Sequence, residues 1–229
     1  MKVRLRFRKT GALVYIGHLD VMRYFQKLFR RADIKVAYSE GFSPHQLLSF
    51  TPPLPLGMES DGEYADVTLT EGISSKEALF RIKHTSVEDI EVLSFKELPE
   101  GAENAMAAVK AAGYTVTFEE DLTDNAIKDA VKSFLSEDTV NVVKKTKKNE
   151  KEINIRPLVY DLKETKDGLY MLVSSGSVDN IKPEHVLSSL YDVLGYKPVE
   201  DKIFIRRTDQ YTRIGEDLVS LDDIGADII

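Results

Sequence analysis

Cysteine is absent from this 229-residue sequence, and that single absence removes several chemistries at once. Disulfides, thiolate zinc sites, cysteine nucleophiles and self-made iron-sulfur clusters all need a sulfur that the chain does not have. Histidine is scarce: His18, His45, His84 and His185 are scattered, and no pair has the close helical spacing of a metal site such as HExxH. No cofactor and no built-in metal are therefore expected. No apolar run approaches the roughly 20 residues that cross a bilayer. The opening KVRLRFRK alternates where a signal peptide would have an apolar centre. The expectation is a globular cytoplasmic protein with no membrane partner, whose 42% hydrophobic residues suffice for a packed core.

What is present is unevenly distributed. Through Met58 the chain has ten Lys and Arg against only Asp20, Asp33 and Glu40, a net of +7, so the remainder carries −14 to reach the total of −7. A positive pole on an acidic body draws anionic ligands to one face. The plainer alternative is that these charges only solvate outward faces.

Lys2 to Lys9 alternate apolar Val3, Leu5 and Phe7 with Lys2, Arg4, Arg6 and Arg8, the period of a strand with one buried face and a row of cations on the other. Ala12 to Ile16 either extends this strand past Gly11 or enters the next helix. From Leu19 to Ala32 the stripe Met22, Phe25, Phe29 and Ala32 predicts an amphipathic helix, with Arg23, Lys27, Arg30 and Arg31 on its outer face. Strands are expected at 34–38, with a possible resumption at 46–50, then at 63–69 and 90–95, and a helix at 74–83. That order is β-α-β-β-α-β, the ferredoxin-like motif.

The same order recurs after a linker at 99–104. It comprises a strand at 114–119, a helix at 125–135 capped by Thr123, and a hairpin of 139–145 with 153–162 across the charged KKTKKNEKE turn, a region with room for three strands. An extended segment at 168–174, a helix at 183–194 with Pro183 in its first turn, and a strand at 203–206 complete it. The fold class expected is α+β, as two tandem ferredoxin-like units. The first is a basic domain over 1–98, the second spans 105–213, and an acidic tail over 214–229 is expected to be poorly ordered or to dock on a partner.

The chemistry is densest between Tyr15 and Gly57. His18 and Asp20 sit where the helix begins, and His45 lies on a loop that can fold back towards it. Two imidazoles with Asp20 suit metal-free acid–base work on RNA, bracketing a phosphate or a ribose hydroxyl. Alternatively Asp20 complements the positive helix end and His18 fixes a turn. Arg4, Arg6 and Arg8 of the strand and Arg23, Lys27, Arg30 and Arg31 of the helix are the candidate phosphate contacts. In SEGFSPH, Gly41 permits a turn, Ser39 and Ser43 offer hydroxyls, and Phe42 offers a stacking face to a base, or else plugs the core. The cluster Glu59, Asp61 and Glu63 is expected to pair with the basic helix in preference to holding a hard cation.

HLD at His18 to Asp20, RRA at Arg30 to Ala32, SEGFSPH at Ser39 to His45, and PLPLG followed by ESDGEY from Pro53 to Tyr64 together resemble a bacterial family of unassigned biochemical function called radical SAM-linked or radical SAM-associated protein. The resemblance is strong from Val3 to Leu69 and weaker to Arg213, with Gly17 where that family often has Ser and Gln46 where it often has Pro. Its members occur alone or fused to B12-binding radical SAM domains. Because this chain cannot hold the three-thiolate cluster itself, the resemblance implies an accessory or substrate-presenting role. Stand-alone members encoded near ribosomal proteins and a ribonuclease lean that role towards RNA. A more distant architectural likeness, tandem ferredoxin-like units with a Gly-rich loop, is to the RNA-binding superfamily of CRISPR RNA-processing endonucleases.

The expected function is thus an RNA-binding accessory protein that presents RNA of the tRNA or rRNA class to a modifying or processing partner, and is not itself the catalyst. The alternatives are a metal-independent endoribonuclease using His18 and His45, and a protein adaptor for a radical SAM enzyme.

Overall fold

The computed structural model describes residues 1–119, 124–145, 150–176, 179–195 and 202–229. It is a mixed α+β protein whose strands are mostly antiparallel. Backbone proximity divides the chain into two compact units, Met1–Lys110 with Asp209–Ile229, and Ala111–Thr208.

In the first unit β1 (Lys2–Lys9) is followed by a 3-10 turn (Gly11–Tyr15), α1 (His18–Arg31), β2 (Leu48–Phe50), β3 (Glu59–Thr68), α2 (Ser75–Lys83) and β4 (Ile90–Glu97). β1 is antiparallel to both β3 and β4, and β2 is antiparallel to β3, which gives the order β4-β1-β3-β2. The alternation in β1 has the predicted effect. Val3, Leu5 and Phe7 are buried in one core with Val21, Phe25, Leu28 and Phe29 of α1, Ala78 and Ile82 of α2, and Phe50 and Phe95. α1 docks by its apolar stripe, and Phe7, Phe25 and Phe50 meet as tilted or edge-on ring pairs, the arrangement that ring quadrupoles favour. α2 begins where Ser74 was expected to start it, its side chain accepting from Glu77 N at 3.3 Å.

Two expectations fail here for identifiable reasons. Ile34 to Tyr38 forms no regular strand: it is held by the isolated bridges Val36–Leu69 and Tyr38–Gln46 and by single backbone bonds such as Ala37 N to Thr68 O at 2.8 Å, and the strand pairing with β3 is the later Leu48–Phe50. Residues 214–229 are not a loose tail. β10 (Ile203–Ile214) turns back as β11 (Asp217–Ser220), a 3-10 turn follows, and β12 (Ala226–Asp227) pairs with β4. Leu221 is wholly buried beside Tyr64, and Lys96 Nζ reaches the Asp222 carboxylate at 3.3 Å. Sparse but well-spaced apolar residues anchor a segment that composition alone marks as solvated. The region expected as a linker is also tied down: Glu103 O accepts from Arg4 at 3.0 Å, and a short α3 (Ala105–Ala108) buries Ala105 and Ala108.

The second unit contains β5 (Ala111–Phe118), α4 (Asp124–Ser136), β6 (Asn141–Lys145), β7 (Glu150–Asn154), β8 (Val159–Thr165), β9 (Gly168–Ser174) and α5 (Pro183–Leu194), then the Ile203–Thr208 end of β10. The order is β10-β5-β9-β8, with α4 and α5 in the two crossovers. β6 and β7 form a separate two-stranded ribbon. The expected long strand 153–162 is broken because Pro157, which has no N–H to give a ladder, sits in a 3-10 turn (Arg156–Leu158). Thr123, and the 146–149 portion of the charged turn, lie outside the described residues.

Candidate functional site

The cation row of β1 is the first place where a sequence-based expectation meets geometry. Arg4 is buried. Its Nε lies 2.7 Å from Asp66 Oδ1 and its Nη2 3.0 Å from Oδ2, a two-point grip on its cross-strand partner in β3. Arg6 donates to Asp61 O at 3.1 Å and stands 4.0 Å from the Asp209 carboxylate. Arg8 bridges Asp61 at 2.7 Å and Glu91 at 3.0 Å. Each of these arginines has a carboxylate beside it within the unit, so the row is a charge ladder across the sheet. Sequence cannot show this, because the acids arrive from β3, β4 and β10. For the same reason Asp61, expected beside the basic helix, meets Arg6 and Arg8 of the strand.

The outer face of α1 is different. Arg23, Lys27, Arg30 and Arg31 are all exposed. Arg23 makes a surface pair with Asp20 at 3.3 Å, and Arg30 gives one N–H to Gln26 O. The SEGFSPH loop closes against this helix. Ser39 N donates to His45 O at 2.8 Å, Ser39 Oγ stands 2.9 Å from His45 Nδ1, and the next residue, Gln46, reaches Gln26 O at 3.5 Å. Gln26 is one turn from Arg23 and Arg30 and adjacent to Lys27, so the base of the loop meets α1 next to these cations. Gly41, at φ +108, takes the backbone round the tip in a conformation that favours glycine. Phe42 is fully exposed at the tip beside exposed Ser43, so it does not plug the core.

His18, Asp20 and His45 do not converge. Gln26, where the His45 loop touches the helix, is eight residues beyond His18, or about 12 Å along the axis. Asp20 turns to solvent with Arg23, and the His45 imidazole is engaged with Ser39. The separation follows from α1 being one continuous helix between the two motifs.

His18 instead belongs to a cleft that the histidine-centred reading missed. Lys9, His18, Glu63, Thr51, Pro53 and Leu54 line it with Phe7, Val21 and Phe50, and its free volume is about 20 Å³. Lys9 is 4% and Glu63 6% exposed. Lys9 Nζ donates to Ile16 O at 3.2 Å and lies 3.5 Å from Val14 O, holding the turn that leads into α1. Ser60 Oγ donates to Glu63 Oε1 at 2.7 Å, and Gln210 Nε2 links Thr51 Oγ1 and Gly62 O at 3.0 and 2.8 Å. His18 stands edge-on to Phe50. Burial pushes the Lys9 ammonium below its ordinary range, against the attraction of Glu63. Burial likewise lowers His18, with Glu63 opposing and Lys9 adding to the shift. One sequence signal was available: Lys9 continues the register of Val3, Leu5 and Phe7, and a lysine in a buried register needs an explanation.

The GHLD, PLPLG and ESDGEY segments all contribute to this cleft. A larger hollow of about 750 Å³ runs along α2 and β4, and its charged residues Lys76, Lys83, Glu88 and Glu91 are exposed. Among the described residues no group of three His, Cys, Asp or Glu is placed to hold a metal ion, and no helix is long and apolar enough to cross a membrane.

A family of uncharacterised proteins conserved in bacteria, DUF2344, matches residues 2–183. The chain belongs to that family. The family match spans the cleft lining from Phe7 to Glu63, α1 and the SEGFSPH loop. No curated protein matches the chain. Among solved structures, a heavy metal efflux pump aligns with 93% of this chain at 8% identity and a TM-score of 0.23. The chain spans 28% of that pump's length, and so slight a likeness carries no argument.

Proposed function

We propose that this family member binds single-stranded RNA along the outer face of α1 and the SEGFSPH loop, and presents it to a separate RNA-modifying or processing enzyme. The observation that carries this reading is four exposed cations on one helix, together with a fully exposed phenylalanine on the loop whose base, at Gln46, bonds to that helix. Cations track a phosphate backbone, and an exposed ring offers a stacking surface to any base. The cations of β1, by contrast, stand against carboxylates within the unit and are not assigned to RNA. The architecture favours the reading. The strand orders β4-β1-β3-β2 and β10-β5-β9-β8, each with two helical crossovers, support reading each unit as a ferredoxin-like β-α-β-β-α-β module. The sequence resemblance to radical SAM-linked proteins nominates a radical SAM enzyme in the cytoplasm as the partner, since the chain has no cysteine to hold such a cluster. An endoribonuclease built on His18 and His45 is not favoured, because the two imidazoles occupy different sites.

The test is binding of the purified chain to a labelled single-stranded RNA across a salt titration. Affinity should fall by about 0.7 log units per log unit of salt for each phosphate contacted. Arg23→Ala, Lys27→Ala and Arg30→Ala together should flatten the slope by about 2 if each meets one phosphate. Phe42→Ala should cost about 1–3 kcal/mol of binding without affecting folding. Absence of binding at low salt, or a triple variant with an unchanged slope, overturns the proposal.

A further inference from the structure

β4 pairs with β1 from Ile90 to Glu97 on one side, but on its other side β12 meets it at Lys96 and Glu97 alone. There the chain leaves the strand for the start of α2: Ile228 N donates to Ser75 Oγ at 2.8 Å, and Ser75 N to Ile228 O at 2.9 Å. Among the described residues no strand lies beside residues 90–93 on that side. An open strand edge is a row of backbone donors and acceptors that templates a further strand. The hollow of about 750 Å³ opens along this stretch, and α2 forms its other wall. Lys76, Leu79, Phe80 and Lys83 follow one another at helical spacing, so one face of α2 sets two apolar side chains between two cations. The Phe80 ring is 59% exposed. Glu91 on the strand is held by Arg8 at 3.0 Å, whereas no ion pair holds Lys76 or Lys83 among the described residues.

We propose that this groove docks an extended peptide segment of a partner protein, which adds a strand to β4 and sets an apolar side chain over Leu79 and Phe80 between two acidic ones. The chain's own β12 shows what the edge accepts, since it is an extended segment laid antiparallel on β4 just short of the groove. Main-chain bonds to the edge supply affinity in such strand addition, and the alternate side chains that face the wall supply selectivity. Lys76 and Lys83 are seven residues apart, about 10 Å along the helix axis. Residues i and i+4 of a strand are about 13 Å apart and point to one face, a span that flexible lysine stems cover. The segment therefore has the pattern acidic-x-apolar-x-acidic. A space between a strand edge and a helix suits a lone strand, whereas a second copy of this chain would bring its own α2 to it. The inference does not depend on the RNA-binding reading, because α2 and β4 contribute nothing to that surface.

The probe is a fluorescein-labelled peptide with Glu-Thr-Leu-Thr-Glu at its centre, titrated with the full chain by anisotropy beside the same peptide with Lys in place of both Glu. The acidic peptide should bind tighter than the basic one by about tenfold or more. N-methylation on alternate residues, made in both phases, should abolish binding in one phase only, because a strand turns every second N–H to its neighbour. Phe80→Ala should weaken the acidic peptide by about tenfold, the share of a half-exposed ring that docking would cover. Lys76→Glu with Lys83→Glu should make the basic peptide the better ligand. All three positions are exposed, so these variants should fold as wild type does, and each should keep the wild-type salt slope for RNA. Failure of the acidic peptide to bind, equal binding of both charge types, tolerance of both methylation phases, or an affinity unmoved by Phe80→Ala each overturns the proposal. A concentration-dependent dimer that Phe80→Ala dissolves, in a chain that binds no peptide, overturns it in favour of a second copy at this edge.

Discussion

Arg4 is the residue at which a sequence-based reading and the folded structure diverge most sharply, so its substitution by Met tests the reasoning best. By sequence it is one of three arginines on a phosphate-binding strand. In the structure its side chain is 3% exposed and that of Asp66 is 2%, with both guanidinium contacts at or under 3.0 Å. Removing one member of a buried pair leaves the other charge desolvated, at a cost of 3–5 kcal/mol in comparable sites, of order 3 kcal/mol here. The lower figure applies because Lys2 Nζ, 3.6 Å from Asp66 and itself partly exposed, can take over some of the charge.

With a urea dependence of about 2 kcal/mol per molar, the unfolding midpoint should fall by roughly 1.5 M. Changing Arg4→Met and Asp66→Leu together should recover most of that loss, because two apolar side chains need no partner. RNA affinity and its salt slope should stay at wild-type values in the folded baseline. The assay is urea unfolding followed by far-UV circular dichroism, beside an RNA salt titration of the same samples. A midpoint within about 0.3 M of wild type, less than 1 kcal/mol at this slope, would refute the buried-pair argument. A flattened salt slope would return Arg4 to the proposed RNA surface.

The acid response of the first unit has a defined sign. His18 in the folded chain titrates below its ordinary value of 6.5, so the unfolded chain binds the proton more tightly. The stabilisation from His18 is complete above about pH 6.5 and is lost as the pH falls through the folded value. Wild type should therefore lose more stability between pH 7.5 and pH 5 than His18→Gln does, and equal losses would remove the effect. His185, in the second unit, shifts the same way through burial, so the comparison must be made between these two proteins and not within one pH series. Gly168, at the β8–β9 turn, has φ +145, and a Cβ there would lie 2.0 Å from Val116 O. Gly168→Ala should lower stability by more than about 1 kcal/mol with no change in RNA affinity, and a variant as stable as wild type would show that the turn relaxes.

The sequence by itself determined the elements whose pattern is local. β1, α1, α2 and α5 stand where alternation, the Met22–Phe25–Phe29 stripe, the Ser74 cap and Pro183 put them. These signals need only a strand's or a helix's own geometry to be read. It also singled out GHLD, PLPLG and ESDGEY, which contribute to the cleft, and SEGFSPH, whose base meets the basic helix at Gln26.

What only the tertiary structure decided is which charge meets which. Arg4 finds Asp66 across 62 positions, Glu63 comes to the cleft of Lys9 and His18, and the acidic stretch after Ile214 folds back on β4. Electrostatic partnership depends on distances between strands brought together by burial of their apolar faces, and no local pattern encodes them. The continuous helix α1, which joins their motifs in sequence, likewise keeps His18 apart from the His45 loop.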